Sequence, residues 1–71
     1  MSPERLKHLR KNLLGLSETA LADRLGMGRA SIARMEKGIQ SIELRTELAL
    51  RWIAMNEFSV TWQDDQEEMN I

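Results

Sequence analysis

Residues 16–38 read LSETALADRLGMGRASIARMEKG, and the architecture of the chain follows from them. Ser17 stands just before an apolar-periodic run, where a hydroxyl accepts from the first unpaired N–H groups of a helix. Glu18 lies in the first turn, where the positive end of the helix dipole favours an acid. Leu21 and Leu25 are one turn apart, and Gly26 ends the segment. Only Met27 separates Gly26 from Gly28, after which a second segment runs over 29–37 and stops at Gly38. Two short helices in such quick succession cross at a steep angle, and Ala22 is small enough to let them approach.

Working outward, Ser2-Pro3 supplies a cap followed by proline at the first helical position. Leu6, Leu9 and Leu13 follow at helical spacing, and Gly15 is the stop. Downstream, Ser41 caps a fourth helix expected over 42–55. That helix is apolar over a wide arc, with Leu44, Leu48, Trp52 and Met55 on one side and Ala49, Leu50 and Ile53 adjoining. One small core does not cover such an arc, so a second burial surface is expected. After Asn56 the period changes: Phe58, Val60 and Trp62 alternate with Glu57, Ser59, Thr61 and Gln63, which is a strand pattern. A lone strand needs a partner edge. The simplest partner is the same strand in another copy, paired about a two-fold axis. The competing reading is an irregular tail that tucks Phe58 and Trp62 against its own helices. The final DDQEEMNI is expected to be a solvated end.

With 71 residues, the chain holds one small domain. No run approaches the roughly 18 apolar residues of a spanning helix, and MSPERLKHLR lacks the apolar centre of a secretory signal. Cysteine is absent and histidine occurs once, which leaves too few ligands for a zinc cluster. No metal and no cofactor are expected, and a cytoplasmic protein is the natural reading. A core of this size rarely supplies more than about 3–5 kcal/mol, so oligomerisation is expected from size alone. The net charge of −1 hides an asymmetry: all ten basic residues lie in 1–51, leaving that stretch at +4, while 52–71 carries −5. A basic body with an acidic tail suits a partner such as nucleic acid, and charge alone equally suits a solvated surface with a solubilising tail.

A helical wheel of the third segment puts Arg29, Ala30, Ala33, Arg34 and Lys37 on one arc, with Ile32 and Met35 opposite and facing the core. Short alanines let a helix sink toward base edges, and arginine forks match guanine O6 and N7. The GMGRASIARMEKG stretch, with its glycines and apolar spacing, resembles the lambda-repressor-like, or XRE, family of helix-turn-helix DNA-binding proteins over residues 5–54. The expected fold is therefore all-α, a compact helix-turn-helix bundle of four to five helices with a short C-terminal β-strand used in dimerisation. Residues 1–56 form the DNA-binding domain, and 57–71 the dimerisation strand and acidic tail.

The resemblance implies that Arg29 and Ala30 meet bases, with Arg34 and Ala33 on the same face. Ser17 and Thr19 are donors to phosphate, as is Ser31 at the edge of the core side. In the family the loop after the recognition helix touches backbone phosphates, which makes Lys37, Gln40 and Ser41 candidates there. Where the family commonly has glutamine after the cap of helix 2, this chain has Glu18. An acid beside phosphate is repulsive, so Glu18 reads as a helix-start acid. The resemblance also sets Arg10 against Glu36 as a structural ion pair. The expected dimer interface is Trp52, Met55, Phe58, Val60 and Trp62.

These expectations point to a sequence-specific regulator of double-stranded DNA, a repressor of its own operon bound as a homodimer to an inverted repeat. Small repressors of phages and mobile elements, including anti-CRISPR-associated repressors and restriction-modification controllers, are of similar size. The alternative is an antitoxin-like interaction module whose C-terminal segment holds a partner protein. Catalysis is disfavoured: a nucleophile would come from Ser17, Ser31, Ser41 or Ser59 with His8 as the single imidazole base, Ser31 and His8 lie on segments with simpler roles, and no paired carboxylates sit in an apolar cleft.

Overall fold

The computed structural model describes residues 1–60. Within them the chain is helical: α1 (Pro3–His8), a π-helical continuation (Leu9–Leu14), α2 (Glu18–Leu25), α3 (Arg29–Glu36) and α4 (Leu44–Glu57). The all-α, helix-turn-helix architecture read from the sequence is the one observed. Capping explains the starts of α1 and α2. The Ser2 hydroxyl accepts from the Arg5 amide at 3.1 Å, and the Ser17 hydroxyl accepts from the Ala20 amide at 3.0 Å. Gly26, which ends α2, takes the left-handed conformation at φ 71°, a region costly for residues with a Cβ. The Met27 amide then donates to the Ala22 carbonyl at 2.9 Å, closing the tight turn into α3.

The core is a single cluster to which each helix contributes. Leu6 and Leu9 come from the first helix, Leu14 from its π-helical end, and Leu21 and Ala22 from α2. Ile32 and Met35 come from α3, and Leu50 and Ala54 from α4. Ala22 is 1% exposed, in keeping with the close approach of α2 and α3 that its size permits. The N-terminal amino group pairs with Glu47 of α4 at 3.0 Å, drawing the start of α1 toward the last helix.

Three local expectations are corrected. The first helix does not keep α spacing to its end. From Leu9 onward it winds as a π-helix, closed by the Gly15 amide on the Arg10 carbonyl. Bonding to the fifth rather than the fourth residue widens each turn. The inward position therefore passes from Leu13, which is 47% exposed, to Leu14, which is buried. Second, α4 starts at Leu44 with extended Glu43 as its N-cap and runs to Glu57, so Ser41 lies outside the helix it was expected to cap.

The third correction concerns the strand expected over residues 58–62. Over 58–60 the backbone is not extended: Phe58 has ψ 0° and Ser59 has φ 55°. The Val60 amide folds back to the Ala54 carbonyl at 2.8 Å. Phe58 and Val60 are partly buried against the core, as the tucked-tail reading anticipated for Phe58. Arg24 of α2 pairs with Glu57 and lies 5.0 Å over the Phe58 ring. Apolar contact and this cation–π stacking outweigh the period-two pattern. Trp62 and the acidic end lie outside the described residues.

Candidate nucleic-acid interface

The face of α3 that points away from the core carries exposed Arg29, Ala30 and Arg34, with Ala33 half-buried between them. Ile32 is fully buried and Met35 is 1% exposed on the opposite side. The outward arc is therefore basic at both ends and nearly flat between them. The shape follows from the sequence of α3 itself: its two large apolar residues are three apart and claim one side, and the alanines are left to the other.

Both arginines are held by neighbours. Arg29 Nη2 lies 3.2 Å from Glu18 Oε1, which links the first turn of α3 to the first turn of α2. Arg34 Nε donates to Gln40 Oε1 at 3.0 Å, and its Nη2 donates to Ser31 Oγ at 3.4 Å. The loop after α3 curls back to permit this: the amides of Ile39 and Gln40 both donate to the Arg34 carbonyl, at 2.9 and 3.3 Å. Each guanidinium has five N–H donors in a fixed fork, so these contacts orient it and leave donors free to face outward.

The remaining candidates divide into two groups by position. Ser17 and Thr19 are exposed at the start of α2. The Ser17 oxygen is occupied as an acceptor in the cap, which leaves its O–H free to donate. Lys37 is the C-cap of α3, and Ser41 is exposed in the loop that follows. Gln40 uses its carbonyl oxygen on Arg34 and retains its amide N–H groups. Gly38 makes the turn at φ 78°, and a Cβ there would lie 3.7 Å from Pro3, so backbone conformation rather than space selects glycine.

Arg10 and Glu36 meet beneath this face. Arg10 Nε and Nη2 reach the two carboxylate oxygens of Glu36 at 2.5 and 3.0 Å, and Nη1 donates to the Leu16 carbonyl at 2.9 Å. The side chains are only 9% and 5% exposed. The Glu36 hydrogen bond, set against the opposing cost of burial, raises the Arg10 pKa above its usual value, with the nearby Glu36 and Glu18 charges adding to the rise. A group raised in this way is fully protonated below its ordinary pKa, so its contribution to folding persists throughout the neutral and alkaline range. The pair joins the first helix, the loop before α2 and the end of α3.

The Glu18–Arg29 pair was not anticipated. The departure from glutamine marks position 18 but carries no sign of its partner, eleven positions later. The hold of Gln40 on Arg34 left no mark in periodicity or spacing. Of the residues expected at a dimer interface, Trp52 and Met55 are 58% and 51% exposed, while Phe58 and Val60 lie partly against the core. No group of histidine, cysteine and acidic residues among the described residues is arranged to hold a metal ion. No helix among them is long and apolar enough to cross a membrane.

The sequence model of the family described as Helix-turn-helix matches residues 6–50. No curated protein and no solved structure matches the chain. The matched span runs from the buried Leu6 of α1 to the buried Leu50 of α4 and contains the whole α2–turn–α3 unit with its basic outer face. The chain belongs to the lambda-repressor-like, or XRE, helix-turn-helix family and is a DNA-binding transcriptional regulator of that type.

Proposed function

We propose that this protein is a sequence-specific autorepressor that binds an inverted-repeat operator as a homodimer, with α3 in the major groove. The observation that carries the reading is the outer face of α3: two arginines, each oriented by a neighbouring side chain, flank two alanines. A helix with short central side chains approaches base edges closely, and oriented forks at its ends supply bidentate contacts. Arg29, Ala30, Ala33 and Arg34 read bases; Ser17, Thr19, Ser31, Lys37, Gln40 and Ser41 position the duplex through phosphates.

The dimer is carried by α4. Leu44, Leu48, Trp52 and Met55 form a stripe of large apolar side chains that is about half or more exposed along its length, and burial of such surface favours association. With Phe58 and Val60 engaged on the core, this helix face rather than a paired strand is the surface for a second copy. Two recognition helices then fall in successive major grooves about 34 Å apart. Trp52→Glu tests it: sedimentation of the wild type gives a dimer at micromolar concentration, and the variant sediments as a monomer. A wild-type monomer would instead favour the antitoxin-like reading, in which another protein covers the stripe.

The functional test is selection of bound duplexes from a randomised pool, followed by anisotropy titration of the selected duplex and a shuffled control. A two-fold symmetric consensus with at least a ~10³-fold preference over the control is expected. Equal, salt-sensitive binding to both would sink the sequence-specific reading.

A further inference from the structure

A second feature lies beside the recognition face, on the side of the first helix. A cleft of about 390 Å³ is lined by Lys7, Arg10 and Lys11 from the first helix, Glu18 from α2, Ala33 and Glu36 from α3, and Lys37 at its end. Its two carboxylates are already engaged, Glu36 by Arg10 and Glu18 by Arg29. Lys7, Lys11 and Lys37 are exposed, and among the described residues none has an ion-pair partner. The cleft therefore has a neutralised floor and an uncompensated rim of three ammonium groups. Ala33 belongs to both the cleft and the outward arc of α3, so the cleft opens where a groove wall would pass.

We infer that this cleft seats a backbone phosphodiester of the bound duplex, with Lys7 and Lys11 of the first helix supplying charge together with Lys37. The inference rests on the DNA-reading face proposed above and extends the contact set to a helix outside the helix-turn-helix. Ammonium groups on flexible stems act as point charges toward phosphate and need no fixed geometry, which suits an open cleft. The Arg10–Glu36 pair is a positioning element here: it holds the first helix and α3 at the separation that the cleft spans.

The test uses the selected duplex and the double variant Lys7→Ala/Lys11→Ala, with circular dichroism to verify its fold. Each phosphate neutralised contributes about 0.9 to the slope of log K against log salt. The double variant is expected to flatten that slope by up to about 0.9 per protomer, on selected and random duplexes alike. Replacing phosphates one at a time by uncharged methylphosphonates localises the site. One position per half-site should weaken wild-type binding more than that of the double variant, in which Lys37 alone remains, and Lys7→Arg/Lys11→Arg should restore the full sensitivity. An unchanged slope, or the same methylphosphonate profile in wild type and double variant, overturns the cleft while leaving the α3 reading intact. A wild-type chain that binds no duplex overturns both.

Discussion

Two Arg–Glu pairs tie α3 to the segments before it, and they differ in almost everything except chemistry. Arg10–Glu36 is bidentate, more than nine-tenths buried and backed by a third hydrogen bond to the Leu16 carbonyl. Arg29–Glu18 is a single contact at 3.2 Å with the arginine 63% exposed. In the buried pair the charges have been taken out of water, so each needs the other and their loss is costly. In the exposed pair water competes for both partners, and the contact adds little to stability. It can instead release its donors to another acceptor. Burial thus separates a pair that fixes how α3 sits on the scaffold from one that aims a side chain off it.

The comparison breaks most visibly at the buried pair. Glu36→Ala leaves the Arg10 guanidinium buried without its carboxylate, a loss of about 3–5 kcal/mol. A core of this size supplies about as much in total. Thermal unfolding followed by circular dichroism should find the variant largely unfolded at 25 °C; a melting temperature near that of the wild type would show that the pair is not structural.

At the exposed pair the effect moves from folding to binding. Arg29→Ala should leave the melting temperature nearly unchanged and cost about 1–3 kcal/mol on the selected duplex, with relaxed preference at one base pair per half-site. Equal losses on selected and random duplexes would assign Arg29 to phosphate. The smallest effect is expected from Glu18→Gln. Stability should shift by about 1 kcal/mol or less, while affinity for random DNA rises because an acid has left a phosphate-lined surface. Discrimination falls as Arg29 loses its charged anchor. Unaltered discrimination would reduce Glu18 to the helix-start acid that its position alone suggests.

Those two pairs also mark how far the sequence could be read. Arg10–Glu36 was legible through the family resemblance, and its geometry adds the tie to Leu16 that makes it a three-way junction. Glu18–Arg29 was not legible. Position 18 has a sufficient local explanation as an acid in a first turn, and nothing in the spacing to position 29 requires contact. The Arg34–Gln40 contact was hidden for a similar reason, because it depends on the path of the loop after Gly38. Nothing in the sequence relates Lys7 and Lys11 to Lys37, which the fold brings to the same cleft.

By itself, the sequence determined the helix count, the caps at Ser2 and Ser17, the glycine turn and the division of α3 into an apolar and a basic arc. These rest on interactions within one or two turns, where propensity, capping and periodicity act directly. Tertiary structure alone decided which of Leu13 and Leu14 turns inward, where α4 begins, and whether Phe58 and Val60 extend or fold back. It also decided which cations share a cleft. The choices at Leu13 and Leu14 and at Phe58 and Val60 are competitions between a local preference worth up to about 1 kcal/mol and the burial of a whole apolar side chain worth about 1.5–3 kcal/mol. The larger quantity is set by packing between segments distant in sequence.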